Sequence, residues 1–494
     1  MISANILNIL LFLPLFGILI ISFIPSNYSF FLKLISLVVA GCSFLISMLL
    51  WLQFDKSVGS FQMVSIITWI PFFNINMLLG IDGISLFFLI LTNLLIFICL
   101  LASWENITDN VKFYLILFLC LQFFLNGVFS ILDLLIFYIF FECVLIPMFL
   151  LIGIWGSRER KIKAAYYFFF FTLVGSVLML LSIIYIYYQI GTTNYEVLLT
   201  VNLTNTEQKI LWITFFLSFA SKVPMLPFHI WLPEAHVEAS TTGSVILAGI
   251  LLKLGTYGFI RYSFPLFPQA SFYYAPIVYF LAILGVIYPS FTAIRQSDFK
   301  RIIAYTSIAH MNLVVIGLFN FHFISLEGAI IQSISHGFVS SALFLLIGVV
   351  YDRHHTRLIK YYGGLAHVMP IYVIIFLFFT MANIGFPGTS SFIGEFLLFL
   401  GSFKVNTTVT VLSSFSMVLG GCYSLWLFNR ISYGNLKMQY IHCFIDLNKR
   451  EVYLFLPLIF NVLIMGLYPE IYLDYIHLSS HLLLEYTYSY KCFY

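Results

Sequence analysis

The sequence predicts an all-α polytopic membrane protein, with about 14 transmembrane helices forming a single membrane domain over residues 1–494. Three observations predict it. Charged residues make up only 9% of the chain, against roughly 25% in a soluble domain. Apolar types fill 62% of it, with 56 phenylalanines. The apolar runs are continuous for about 18 residues or more, where a membrane barrel would alternate. Together these exclude a soluble enzyme, a secreted disulfide scaffold and a nucleic-acid binder, because a net charge of +3 offers no basic patch.

On the ruler of about 20 apolar residues per span, helices fall at 4–24, 31–52, 80–103, 111–130, 132–155, 165–189, 209–231, 240–260, 274–294, 302–320, 325–351, 370–401, 408–430 and 453–469. The first lacks a basic flank and an A-x-A cleavage site, so it reads as a span and not as a signal peptide. No Arg-rich transit sequence is visible. Residues 53–79 are too broken and polar to cross, and suit an extramembrane loop or short hairpin. Asp82, Asp133 and Glu327 stand at helix starts, where an acid complements the dipole, and read as structural. Pro147 removes the helix bond to the Cys143 carbonyl. Pro224 frees the Ala220 carbonyl, with Pro227 following, and Asn383-Ile-Gly-Phe-Pro-Gly388 interrupts the twelfth span. Two Gly/Pro-interrupted helices at matching places suggest an internal repeat with a transport path at the midplane.

Basic residues test the count through the positive-inside rule. Loops after odd-numbered helices hold sixteen lysines and arginines, among them Arg158, Arg160, Lys300, Arg301, Arg353 and Arg357. The other loops hold Lys56, Lys209, Arg261, Lys404 and Lys491. The odd loops therefore face the cytoplasm or matrix, and both termini the opposite side.

Two lysines remain inside spans, Lys222 and Lys253, balanced by Glu142 and Glu395. A charge at mid-membrane costs about 2.5–3.5 kcal/mol on insertion scales, so such groups face partners or water. One reading is a pair of structural ion pairs that join helices. Against it, desolvation offsets much of a buried pair's attraction. Burial also destabilises the charged form of each group, which is what a proton relay exploits. His310 and His336 also fall within spans, accompanied by Ser307, Ser333, Ser335 and Ser340, and imidazole titrates near neutrality. A hydrogen-bonded packing role is the alternative. Haem ligation is set aside, since there is one such pair and no matching second set. The segment His229-Ile-Trp-Leu-Pro-Glu234-Ala-His236-Val-Glu238 has metal-like spacing but sits at a span end, and reads as interfacial. Seven scattered cysteines (Cys42, Cys99, Cys120, Cys143, Cys422, Cys443, Cys492) give no disulfide framework, zinc or iron–sulfur spacing. No nucleotide-binding glycine motif occurs. Sequons at Asn27, Asn106, Asn202 and Asn406 are expected by chance.

The segments LLIFYIFFECVLIPMFLLIGIWGSRERKIKAAYYFF, ASKVPMLPFHIWLPEAHVEASTTGSVILAGILLKLGTYG and NIGFPGTSSFIGEF, with GIDGISLFFLILT before them, closely resemble subunit 4, one of the antiporter-like membrane subunits of respiratory complex I, the proton-pumping NADH:ubiquinone oxidoreductase. The resemblance covers nearly the whole chain, residues 80–430 most strongly, and extends to sodium/proton antiporter subunits. It implies fourteen helices with two inverted five-helix repeats, each containing a broken helix. Residues 1–110 would then be N-terminal helices, 111–260 the first repeat, 274–430 the second, and 431–494 a loop, a last helix and a tail. It implies Glu142 as the carboxylate of the fifth helix and Lys222 as its partner on the broken seventh. Lys253 would be the central lysine, His310 and His336 the connecting histidines, and Glu395 the terminal group of the broken twelfth. Sister subunits 2 and 5 carry lysine at that last position, and no long C-terminal amphipathic helix is evident, which favours the fourth. Cys143 stands where glycine is usual, and the 471–494 tail is idiosyncratic.

The resemblance implies a proton-translocating subunit with no redox site of its own. NADH, FMN, iron–sulfur clusters and ubiquinone would belong to partner chains, and bound phospholipid such as cardiolipin is expected. Expected partners are subunits 2 and 5 and the lipid bilayer, with no nucleic acid. Rival readings are a stand-alone antiporter component, a purely structural subunit and a quinone- or haem-bearing subunit. Usage heavy in Phe and Tyr with few alanines suggests an AT-rich organelle genome. That places the chain in the mitochondrial inner membrane with both termini towards the intermembrane space. A bacterial cytoplasmic membrane is the fallback.

Overall fold

The structure, a computed structural model, describes residues 2–437, 439–440 and 445–489. Cys443, Lys491 and Cys492 lie outside the described residues. Among the described residues, twelve helices are long and apolar enough to cross a membrane. Residues 53–79 take the hairpin form. Gln62–Ile70 pairs antiparallel with Ile75–Ile81, and its alternating exposure follows from a β-branched run, Val64-Ser-Ile-Ile-Thr68. Among the described residues this ribbon is the one sheet.

Three drawn spans are interrupted. The fifth divides at Val144 into Leu134–Cys143 and Leu145–Trp155, three residues before Pro147, where the missing donor was expected to act. The seventh stops at Lys222 and resumes as Trp231–Glu238. The twelfth is Pro370–Ile384 followed by Ser390–Val405, with Gly385 at φ +82 closing the first piece.

Two expectations need correction. The eighth helix does not end at 260 but runs Thr241–Leu266. It absorbs two wide π-helical turns, Leu247–Leu251 and Phe259–Ser263, so Arg261 lies inside a span and not in a loop. The tail, given no element from sequence, forms the helix Glu470–Ser489. Pro469 precedes it and Glu470 occupies its first turn, while Ile476 and Leu484 are buried. Both are favourable start signals that a segment rich in Tyr, Ser and His had obscured.

The chain forms two compact units. The first takes residues up to Lys222, Lys253–Ala275 and those from Asp474 on. Buried amides hold its early helices together. Gln122 Nε2 donates to Asn93 Oδ1 at 2.8 Å and Asn93 Nδ2 to Asn126 Oδ1 at 3.2 Å. The second takes Val223–Leu252 and Pro276–Leu473. Its core is the helix pair Phe323–His354 and Ser390–Val405, brought close by small residues. A Cβ on Gly394 would stand 2.8 Å from Gln332 Cβ.

Candidate functional site

In the first unit, Glu142 is the last residue but one of the short helix Leu134–Cys143, where the chain turns at Val144. Both of its carboxylate oxygens are buried and without a hydrogen-bond partner. Lys222 is the last residue of its helix and is 2% exposed. Its Nζ stands 4.3 Å from the centroid of the Phe141 ring and 3.5 Å from the Phe141 carbonyl oxygen. The ammonium thus rests on the residue next to Glu142. The two charges attract one another without forming a direct ion pair. Structural glue would make a tight contact. A loosely matched acid and base, each at a helix break, can instead change partners. Lys253, in the same unit, is fully buried between the two π-helical turns.

In the second unit, the structure brings three of the expected residues together. His310 Nδ1 lies 3.4 Å from Glu395 Oε1, and Gln332 Nε2 donates to the same oxygen at 3.2 Å. The rings of His310 and His336 have centroids 5.9 Å apart. The hydroxyl of Ser335, beside His336, bonds those of Ser390 and Ser391 at 2.7 and 3.0 Å. His310 Nε2 is buried without a hydrogen-bond partner. Glu395 sits just after the helix interruption, with Gly385 against its carboxylate: a Cβ there would be 2.8 Å from Oε2. The group is a buried run of imidazole, carboxylate, amide and hydroxyl side chains in which His310 and Glu395 lie against one another.

Residues 132–420 match the family profile described as "NADH:quinone oxidoreductase/Mrp antiporter, TM", a range that contains all six residues above. The chain is 54% identical over 470 residues to NADH-ubiquinone oxidoreductase chain 4 of Arabidopsis thaliana, covering 95% of each. It is 54% identical over 472 residues to the chain 4 of Chondrus crispus, covering 96% of each. This chain belongs to the NADH-ubiquinone oxidoreductase chain 4 family. It superposes with a TM-score of 0.89 on a chain of respiratory complex I from Thermus thermophilus with bound NADH, at 29% identity, covering 97% of this chain and 99% of that one. A chain of the Mrp complex from Dietzia sp. shares the fold at 17% identity and a TM-score of 0.84, with 98% of this chain and 52% of that one covered.

Besides the six residues that the chain 4 resemblance assigns, buried charges appear that sequence reasoning placed in loops or at the interface. Arg261 Nη2 pairs with Asp82 Oδ2 at 2.6 Å in the first unit. In the second, the side chain of Arg357 is fully buried, 3.6 Å from Glu238 Oε1 and 3.8 Å from Asp298 Oδ2. Lys300, 1% exposed, donates to the Ala239 carbonyl at 2.8 Å. The interfacial reading of the His229–Glu238 segment therefore needs correction at its end, since His236 and Glu238 are buried. Its side chains also diverge: Glu234 pairs with Arg301 at 2.7 Å, His236 stacks on Phe344, and Glu238 turns to Arg357. Among the described residues, no group of three such side chains can hold a metal ion. No local signal marks these buried charges, since Arg295 and Ser297 at the same chain end are exposed while Lys300 is buried.

Proposed function

We propose that this chain is a core membrane subunit of respiratory complex I that conducts protons across the mitochondrial inner membrane. NADH oxidation and ubiquinone reduction in partner subunits would drive it, and subunits 2 and 5 would be its antiporter-like neighbours. With each interrupted helix counted as one span, the twelve long helices become fourteen, in line with two repeats at 111–260 and 274–430. Both termini would face the intermembrane space. Scattered cysteines suit no cluster, so NADH, FMN, iron–sulfur and quinone chemistry is assigned to other chains, and anionic phospholipid to the lipid-facing surface.

Glu142, when ionised, holds a proton on Lys222. Moving the two apart withdraws that support, and Lys222 yields its proton towards Lys253. The onward carriers are His310, His336 and Glu395, whose carboxylate releases it. Carrying one charge against 100 mV takes about 2.3 kcal/mol, which corresponds to roughly a fiftyfold change in proton occupancy. Withdrawal of one buried countercharge is of that order.

The observation that carries this reading is the Glu142 carboxylate, buried without a hydrogen-bond partner beside the residue on which the Lys222 ammonium rests. The decisive experiment is Lys222→Met in the intact complex, with NADH:quinone turnover and proton pumping measured in vesicles after assembly has been checked. Loss of pumping is expected. Wild-type pumping in a fully assembled complex would reduce the pair to structural glue. A stand-alone antiporter component, favoured by the shared Mrp fold, would instead make transport depend on sodium.

A further inference from the structure

We propose that Arg261 is a fixed-charge plug: it closes the stretch of helix between Lys253 and the end at Leu266, so that a proton on Lys253 cannot escape along its own helix. The proposal rests on the reading of Lys253 as a carrier.

Lys253, Tyr257 and Arg261 follow one another at intervals of four on Thr241–Leu266, one stripe of the helix. At 1.5 Å per residue the stripe is about 12 Å long, and each member is 3% exposed or less. It leads from the buried lysine towards the membrane face where the helix Gly83–Ala102 begins, because Arg261 meets Asp82, the N-cap of that helix. Left open, it would be a way out along the helix.

A proton relay requires each group to accept on one side and donate on the other. This stripe fails twice. The Tyr257 hydroxyl donates to the Phe129 carbonyl at 3.3 Å, and a carbonyl has no proton to pass on. The hydroxyl oxygen in turn accepts from Arg261 Nε at 3.1 Å, and a guanidinium is all donors, none of which it surrenders. The guanidinium therefore lies between the phenol and the Asp82 carboxylate, with its positive charge on the Lys253 side and the balancing negative charge beyond. A cation approaching from Lys253 meets repulsion first, as at cationic constrictions that exclude protons from pores.

The device is held rigidly. Asp82 gives one oxygen to the Ser85 N–H at 2.9 Å, capping its helix, and the other to Arg261. The rings of Phe61, Tyr257 and Tyr195 surround the guanidinium with centroids 4.8, 5.3 and 5.8 Å from Cζ.

The test uses the intact complex in vesicles without NADH, following the decay of an imposed pH gradient. Two variants are compared with the wild type: Arg261→Leu, and Arg261→Gln with Asp82→Asn. The second removes both charges while keeping polar groups of similar shape, so assembly does not depend on an unpaired ion. Decay about tenfold faster is expected, equivalent to a barrier lower by about 1.4 kcal/mol. Adding Lys253→Met should suppress it, and Arg261→Lys, still cationic, should stay tight. Assembled variants as tight as wild type would overturn the plug, and so would a leak indifferent to Lys253→Met. Failure of the path itself shows separately, as unimpaired pumping in Lys222→Met.

Discussion

Gly385→Ala tests whether the break in the twelfth span exists to place the Glu395 carboxylate. Gly385 has φ +82 and ψ 44, where a side chain costs roughly 1–2 kcal/mol. The added methyl would fall 2.8 Å from Glu395 Oε2. Ordinary contact needs about 3.5 Å, so the carboxylate must retreat by most of an ångström. It is the end of a flexible side chain and can swing without moving a helix. The retreat is taken from its contacts with His310 at 3.4 Å and Gln332 at 3.2 Å. With His310 protonated and an effective dielectric of about 20, the attraction falls from about 5 kcal/mol at the present distance to about 4 kcal/mol an ångström further out. One kcal/mol is about a fivefold change in the populated state. The expected outcome is a complex assembled in near-normal amount that pumps severalfold less. Native gels measure the first, and the proton-to-electron ratio in vesicles the second. Adding Glu395→Asp, one methylene shorter, should recover part of the loss. Unchanged pumping in Gly385→Ala would refute the reasoning.

Two further outcomes are expected. Arg357→Ala leaves the buried Glu238 carboxylate and the partly exposed Asp298 carboxylate without their guanidinium, a loss of about 3 kcal/mol, the low end for a broken buried pair, so the assembled subunit should fall sharply on native gels; normal amounts would show the cluster to be solvated. His322 caps the helix Phe323–His354 by accepting the Ile324 N–H at 3.3 Å, and burial first, then the Lys404 ammonium, holds its imidazole below the ordinary value. A lowered histidine gives stability that is complete above about pH 6.5 and lost as pH falls through its folded value. The protection of the Ile324 amide, its exchange normalised to the intrinsic rate at each pH, should fall on acidification below pH ~6.5 in the wild type and stay flat in His322→Asn, which keeps a neutral cap. The same acid response in both would assign it elsewhere.

The residues proposed for the path were legible because each stands out against its surroundings. A lone Glu142 or Lys253 in an apolar run has no surface to reach, and the prolines after Lys222 and before Glu395 remove backbone donors wherever they occur. The breaks followed from that arithmetic alone. Arg261 was misplaced because it lies five residues before the end of its helix at Leu266, where a side chain can turn to water or inwards, and local sequence does not record that Asp82 waits for it. Arg357 and Glu238 are 119 positions apart, and only the folding of the second unit brings them to 3.6 Å. The π-helical turns leave no compositional trace, since they add a residue without changing the apolar character of the span.

One of those turns bears on how the chain can change over time. Phe259–Ser263 is wound one residue wider than an α-helical turn, and Arg261 is in its middle. Deleting Phe259 or Ile260 would let the turn relax to ordinary winding with little net rotation of the pieces on either side, because the wide turn already holds one residue more than an α-helical turn. Arg261 would then stand three and not four residues after Tyr257, drawn back along the helix by about 1.5 Å, although neither it nor its partners Tyr257 and Asp82 had been altered. Substitutions in that turn change what a side chain touches; a deletion changes which position Arg261 occupies. The spacing of residues in Phe259–Ser263 is thus inherited as information in its own right, separate from the identity of the residues that fill it.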